Sequence, residues 1–267
     1  MPTNTAKITA ANRAAWNTSA PLHQQGAAWQ ELTTGFATPG YSTLDTPLTD
    51  ALRHAGIQDA SIVQIGCNNG REILSTFALG ASNGLGIDQS EAFLQQAETL
   101  RGIAGYPCDF LESDIYALPA DTPREFDIAL ITIGVLNWMP DLPEFFRAVA
   151  SLLRPGGRLI IYETHPILEV FEPASPTPFT PAHSYFRTTP FVETQTITYD
   201  GSQNDNAPPS HWFIHTLGAI LNAAIGAGLQ IEVLDEFPHS IREVDYDQYE
   251  DQPAQLPLCY MLHAQKR

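Results

Sequence analysis

The sequence predicts an α/β fold: a doubly wound, mainly parallel seven-stranded sheet, preceded by an N-terminal helical segment and carrying an insertion after the fifth strand. Three observations predict it. A short apolar β run, Ile62-Val-Gln-Ile65, ends in the glycine-bearing turn Gly66-Cys-Asn-Asn-Gly70 and opens onto a helix-like segment. About twenty residues later a second short strand ends on a carboxylate, Asp88. Strand-like and helix-like segments then alternate along the chain, as crossover connections between parallel strands require.

The elements follow in order. A helix is expected near Lys7 to Asn17, then a connection through Pro39-Gly40, then a helix from Leu48 to Ala55. The first strand is Ser61 to Ile65, followed by a helix at 71–78 and a strand at 84–87. Ser90 caps a helix over 90–101, with Glu91 in its first turn. A short third strand is placed at Tyr106 to Cys108. Phe126 to Ile133 is continuously apolar, as expected of a strand buried on both faces. A helix from Leu142 to Leu153 is stopped by Pro155-Gly156-Gly157, and Arg158 to Glu163 forms the next strand. From His165 to Ser210 the rhythm breaks into a proline- and aromatic-rich stretch with a candidate strand pair around Tyr185 to Tyr199. It is too long for an ordinary connection. A helix from His215 to Ala227 and strands at Gln230 to Leu234 and Leu256 to Ala264 close the sheet. The domain reading is a cap segment at 1–50 and a main domain at 51–267, with a lid or insertion at about 166–212.

Composition narrows the function classes. The net charge of −17 over 267 residues repels polyphosphate, so nucleic acid is not the expected partner. The 3 cysteines are widely spaced and form no metal or disulfide pattern, which favours a reducing compartment. The longest apolar run, around Ile128 to Val135, is far short of a membrane helix. A cytoplasmic protein acting on a small molecule is expected, with no membrane partner and a homodimer left open.

The residues suggest the chemistry. Backbone close to a turn at a helix N-terminus suits a polar or charged ligand. A carboxylate at the end of the next strand can accept hydrogen bonds from both hydroxyls of a ribose. Together they describe a site for a nucleoside-containing cofactor. A dinucleotide pattern would need a third glycine that the 66–70 turn lacks. Gly80-Ala-Ser-Asn-Gly84 has the letters of a hydrolase elbow but precedes a strand instead of following one. His211-Trp-Phe-Ile-His215 has zincin spacing without the glutamate, so no metal site is indicated; the two histidines cap a helix or face the active site. The acidic run Glu243 to Asp251 reads as a solvated loop.

At this point the chain resembles the class I S-adenosylmethionine-dependent methyltransferases of small-molecule type, over 60–267. Val63-Gln-Ile-Gly-Cys-Asn-Asn-Gly70 resembles their acidic-x-Gly-x-Gly-x-Gly loop, with Gln64 in place of the acid and Asn68 in place of the middle glycine. Asp88 and Gln89 resemble the ribose-binding position, Ser113-Asp114-Ile115 the adenine segment, and 126–141 the fourth strand and its loop. Leu153-Arg-Pro-Gly-Gly157 resembles the helix-to-strand turn before the fifth strand. The resemblance implies a Rossmann-like methyltransferase fold and S-adenosyl-L-methionine as cofactor. It implies cofactor contacts from Gln64, Gly66, Cys67, Asn68, Gly70, Asp88, Gln89, Ser113, Asp114, Ile115 and Ile133. Trp16, with His23, resembles an aromatic pair folded over the cofactor. Asn137, Trp138, Glu163 and His215 lie where an acceptor would bind, and His165, then His211, are the candidate bases. The acceptor and the methylated atom stay open. Two alternatives remain: a non-catalytic protein binding S-adenosylmethionine or S-adenosylhomocysteine, and other sulfonium chemistry on the same fold.

Overall fold

A computed structural model describes residues 4–198, 205–241 and 244–267. The N-terminal segment supplies α1 (Asn4–His23), α2 (Ala27–Phe36) and α3 (Thr46–His54). Asp45 caps α3, accepting from the Leu48 N–H, with a proline in the first turn. β1 (Ser61–Ile65) leads into α4 (Arg71–Thr76), and β2 (Asn83–Asp88) into α5 (Glu91–Ala104), where Ser90 accepts from the Phe93 N–H and Gly105 closes the C-terminus in left-handed geometry. β3 (Cys108–Glu112), β4 (Phe126–Thr132), α6 (Leu142–Leu152) and β5 (Leu153–Thr164) complete the parallel part. The insertion contributes β6 (Phe191–Gln195) and β7 (Asp205–Trp212); then come α7 (Leu217–Gly226), β8 (Leu229–Phe237) and β9 (Cys259–Lys266).

Seven strands form one sheet in the order β3-β2-β1-β4-β5-β9-β8, and β6 and β7 form a separate antiparallel pair. The strands from β3 to β5 run parallel, while β9 is antiparallel to both β5 and β8. Order reverses between β1 and β4, and the crevice at the carboxyl ends of such strands is where ligands bind in open α/β sheets. The apolar run of β4 divides by the period of two. Ala129 and Ile131 face the layer containing Phe145, Phe146 and Val149 of α6, and Ile128 and Leu130 face Leu52, Ile73 and Leu100. Among the described residues no helix is long and apolar enough to cross a membrane.

Several boundaries differ from the sequence reading. The third strand is Cys108–Glu112, not 106–108. It is the sheet edge, its side chains are only partly covered, and the apolar signal that marks an inner strand is thin there. Pro155-Gly156-Gly157 does not interrupt β5 but bends within it, with a register irregularity against β4. A Cβ on Gly157 would stand 2.9 Å from the Phe126 carbonyl oxygen, so glycine permits the two backbones to meet. The partner of β6 is β7, farther along the chain than the expected pair, whose end at Tyr199 lies outside the described residues, as does Glu243. The last strand starts at Cys259, not Leu256, and α2 carries no sequence signal that marked it in advance.

Two predictions follow from packing and burial. A Cβ on Gly86 would lie 2.6 Å from the Phe110 ring and 2.8 Å from Cys67 Sγ. Gly86→Ala is expected to lower stability by about 1–3 kcal/mol in urea unfolding. Burial lowers the pKa of His165, His215 and His263 below 6.5. Below that value the unfolded chain therefore binds more protons than the fold, so stability falls as pH drops through 6.5 and is full above it. His263→Gln is expected to flatten that loss, measured by urea midpoints across the same range.

Candidate active site

The site is built from chain reversals at the carboxyl ends of β1, β2 and β4. After β1 the turn uses left-handed backbone at Gly66 (φ 66°), Asn68 (φ 51°) and Gly70 (φ 75°). At Gly66 a Cβ would meet Val135 at 2.7 Å, and at Gly70 it would meet the Phe110 ring at 2.8 Å, so both positions demand glycine on two counts. Asn68 tolerates its conformation because its own Oδ1 accepts from the Asn69 N–H at 2.8 Å.

Gln64 explains itself by its partners. It is 1% exposed. Its Oε1 accepts from the Ile73 N–H at 3.0 Å, satisfying the first turn of α4 that Gly70 cannot cap, and its Nε2 donates to Thr132 Oγ1 at 2.9 Å. The amide ties β1, α4 and β4 together with a donor and an acceptor; a carboxylate would have no donor for the threonine. Asp88 accepts from the Asn68 N–H at 2.8 Å and the Ser90 N–H at 2.9 Å, holding the turn to the start of α5. Burial raises its pKa, and the backbone hydrogen bonds from Ser90, Asn68 and Gln89 oppose that rise. Glu163, 1% exposed, collects the N–H groups of Gly134, Val135 (2.9 Å) and Leu136 (3.3 Å) and so fixes the loop after β4.

These reversals enclose a cavity of about 220 Å³. Its polar lining comprises Gly66, Asn68, Asp88, Gln89 and the 113–115 segment, with Arg71 and Glu72 ion-paired at 2.7 Å. Its aromatic and apolar lining includes Trp16, Trp138, Met139, Ile197 and Trp212. Helix α1 roofs both. Thr9 Oγ1 donates to Asp114 Oδ2 at 2.5 Å, and the buried Asn12 amide pairs with the His211 backbone in both directions, at 2.6 and 2.9 Å. Asn17 Oδ1 accepts from Ser90 Oγ at 2.7 Å, and Ser19 Oγ accepts from the Ile197 N–H at 2.9 Å.

Ten of the residues singled out from sequence line this cavity: Trp16, Gly66, Asn68, Asp88, Gln89, Ser113, Asp114, Ile115, Ile133 and Trp138. The others stand outside that lining. Gln64, Cys67 and Gly70 shape the turn from behind, and burial pushes the Cys67 thiol well up. Glu163 is a loop clamp, and Asn137 donates to Glu169 and to the Phe213 carbonyl. His165 does not reach the cavity. Its Nδ1 accepts from the Ile167 N–H, its Nε2 lies 2.9 Å from Glu236, and burial lowers its pKa against the pull of that carboxylate. His215 donates to the Met139 carbonyl at 2.8 Å and lines a separate groove with Pro140 and Arg147. His211 contributes its backbone, and its ring is not part of the lining. The roles of Trp212 and Thr9 had no sequence signal, because only the folded insertion and α1 bring them to the strand ends; Arg71 and Met139 follow the reversals after β1 and β4 and went unassigned there.

Comparison with known proteins agrees with this geometry. Residues 63–161 match the family model described as a methyltransferase domain. A tRNA U34 carboxymethyltransferase of Saccharophagus degradans is 32% identical over 109 residues, 40% of this chain and 33% of that protein. A ubiquinone biosynthesis O-methyltransferase of Ralstonia nicotianae is 34% identical over 105 residues, 39% of this chain and 43% of that one. The chain thus spans between a third and a half of the length of these curated relatives. Among solved structures, the Burkholderia thailandensis 1,6-didemethyltoxoflavin-N1-methyltransferase superposes with TM-score 0.58 at 16% identity, covering 100% of this chain and 92% of that one. An S-adenosylmethionine-dependent methyltransferase from Mesorhizobium loti superposes with TM-score 0.56 at 22% identity, covering 81% and 96%. Residues 63–161 are thus similar to a methyltransferase domain, and the chain has the fold of solved S-adenosylmethionine-dependent methyltransferases.

Proposed function

We propose that this protein transfers a methyl group from S-adenosylmethionine to a small organic acceptor. The observation that carries the reading is Asp88. Its carboxylate oxygens accept from the Asn68 and Ser90 N–H groups and keep further acceptor capacity, and it lines the cavity beside Gly66 and Asn68 of the turn. The residues therefore fit a nucleoside ligand: Asp88 would take the ribose hydroxyls, Ser113 to Ile115 the adenine, and the 66–70 turn with Arg71 the amino-acid end.

When bound, S-adenosylmethionine supplies an electrophilic methyl: the acceptor's lone pair forms the new bond, and the carbon–sulfur pair stays on sulfur, which becomes a neutral thioether. The chain's own contribution is placement and dryness. Glu163 holds the 134–136 loop, Asn12 and Ser19 hold the roof against the insertion, and Trp16 packs edge-on to Trp138 at 5.3 Å. We assign α1 the role of a cap and 166–212 the role of a lid on this basis. A small acceptor is favoured over the tRNA of one relative because the chain carries −17 net charge. The three cysteines are free and buried, which supports a reducing, cytoplasmic setting.

Calorimetric titration with S-adenosylhomocysteine tests the reading. Binding is expected for the wild type, and a folded sample that binds neither this product nor S-adenosylmethionine overturns it. Asp88→Asn removes the charge while keeping an acceptor, and affinity is expected to fall roughly tenfold to a hundredfold. Wild-type affinity is expected to decline on acidification, because protonation removes the charged acceptor. Burial makes that decline begin above the ordinary carboxylate range. His165→Gln is expected to leave S-adenosylhomocysteine affinity unchanged, since its ring contacts Glu236 and not the cavity.

A further inference from the structure

We propose that the acceptor is a planar aromatic or heteroaromatic molecule, held flat against the indole wall of Trp138 and Trp212, whose reacting atom carries a free lone pair when it binds. This rests on the methyl-transfer reading above and names the substrate class of that same site.

The wall is positioned before any ligand arrives. Trp138 lies 5.3 Å from Trp16 at 71° and 6.5 Å from Trp212 at 47°. Each outer ring is braced by another: Trp16 by Phe93 at 5.6 Å, Trp212 by Phe191 at 6.0 Å. The backbone of this wall is pinned as well. Asn12 grips the residue before Trp212, and Glu163 grips the loop that ends in Trp138. Braced indoles present flat, polarisable surfaces, and a flat ring gains most from them because it loses little conformational freedom in stacking. Met139 and Ile197 complete an apolar surround.

A cationic amine is the rival occupant, since indole faces attract cations. Chemistry separates the two. An ammonium has no lone pair until a proton leaves, and among the described residues no histidine lines the cavity to take it. His215 is committed to the Met139 carbonyl and His165 to the Ile167 N–H, facing Glu236. The carboxylates that line the cavity have protein partners: Asp88 accepts from backbone N–H groups, Asp114 from Thr9 and the Tyr116 N–H, and Glu72 pairs with Arg71. An aromatic nitrogen, an acidified phenol that is already ionised, or a ring thiolate holds its lone pair near neutral pH and asks nothing of these groups.

The test titrates S-adenosylhomocysteine-loaded protein with quinoline, 4-nitrophenolate and cyclohexylamine, followed by calorimetry and tryptophan fluorescence. The two flat probes are expected to bind at least about tenfold more tightly than the amine and to quench the indoles. Trp212→Leu is expected to lose about tenfold in quinoline affinity with S-adenosylhomocysteine affinity intact, and Trp212→Phe to retain most of it. Cyclohexylamine binding as well as quinoline overturns the proposal, as does quinoline affinity unmoved in Trp212→Leu. Either result with product binding intact leaves the methyltransferase reading standing; a folded wild type that binds no S-adenosylhomocysteine removes both. With turnover measured on 4-nitrophenol and phenol, the rate is expected to follow each acceptor's own ionisation. One pH profile common to both would instead reveal a base in the protein and overturn the lone-pair part.

Discussion

A cavity at strand ends strands backbone N–H groups without partners, and in this protein three side chains supply the acceptors without filling the space. Gln64 satisfies the first turn of α4, Asp88 satisfies the 66–70 turn and the start of α5, and Glu163 satisfies the reversal after β4. Each reaches its N–H groups from a strand of the central sheet, so the rigid part of the fold sets the shape of the mobile-prone part. Removing any one acceptor would leave buried donors unpaired. The cavity is therefore a consequence of how the sheet solves its own hydrogen bonding.

The roof obeys a different rule. Helix α1 buries Thr9, Asn12, Ser19 and small alanines, not a stripe of large apolar side chains. Its attachments are hydrogen bonds to Asp114, the β7 backbone, Ser90 and Ile197. Such contacts exchange with water at little net cost, whereas their geometry is specific. The roof is thus located accurately while contributing little hydrophobic glue, and the large rings it does carry, such as Trp16, face the cavity and its aromatic wall.

Charge is arranged in the same spirit. The cavity lining combines polar and ionised groups around the glycine turn with three indoles. Burial raises the Asp88 carboxyl above its ordinary value, and the backbone N–H groups it accepts oppose that rise.

The sequence by itself determined what local physics controls. The run Ile62 to Ile65, the left-handed demands at Gly66 and Gly70, the Ser90 cap and the doubly buried strand 126–132 are legible because their causes lie within a few residues. They were enough to place the sheet and Asp88. Tertiary structure decided the rest, for reasons of distance and direction. The edge strand 108–112 and α2 lack a strong apolar signal of their own, so packing alone defines them. His165 sits at a strand end where a base could stand, but the direction of its side chain, set by Ile167 and Glu236, turns it away. Trp212 joins Trp138 and Trp16 across about two hundred residues of chain only because Asn12 pairs with β7. A sequence encodes which residue types are present, but the meeting of side chains from three distant segments is a property of the closed fold.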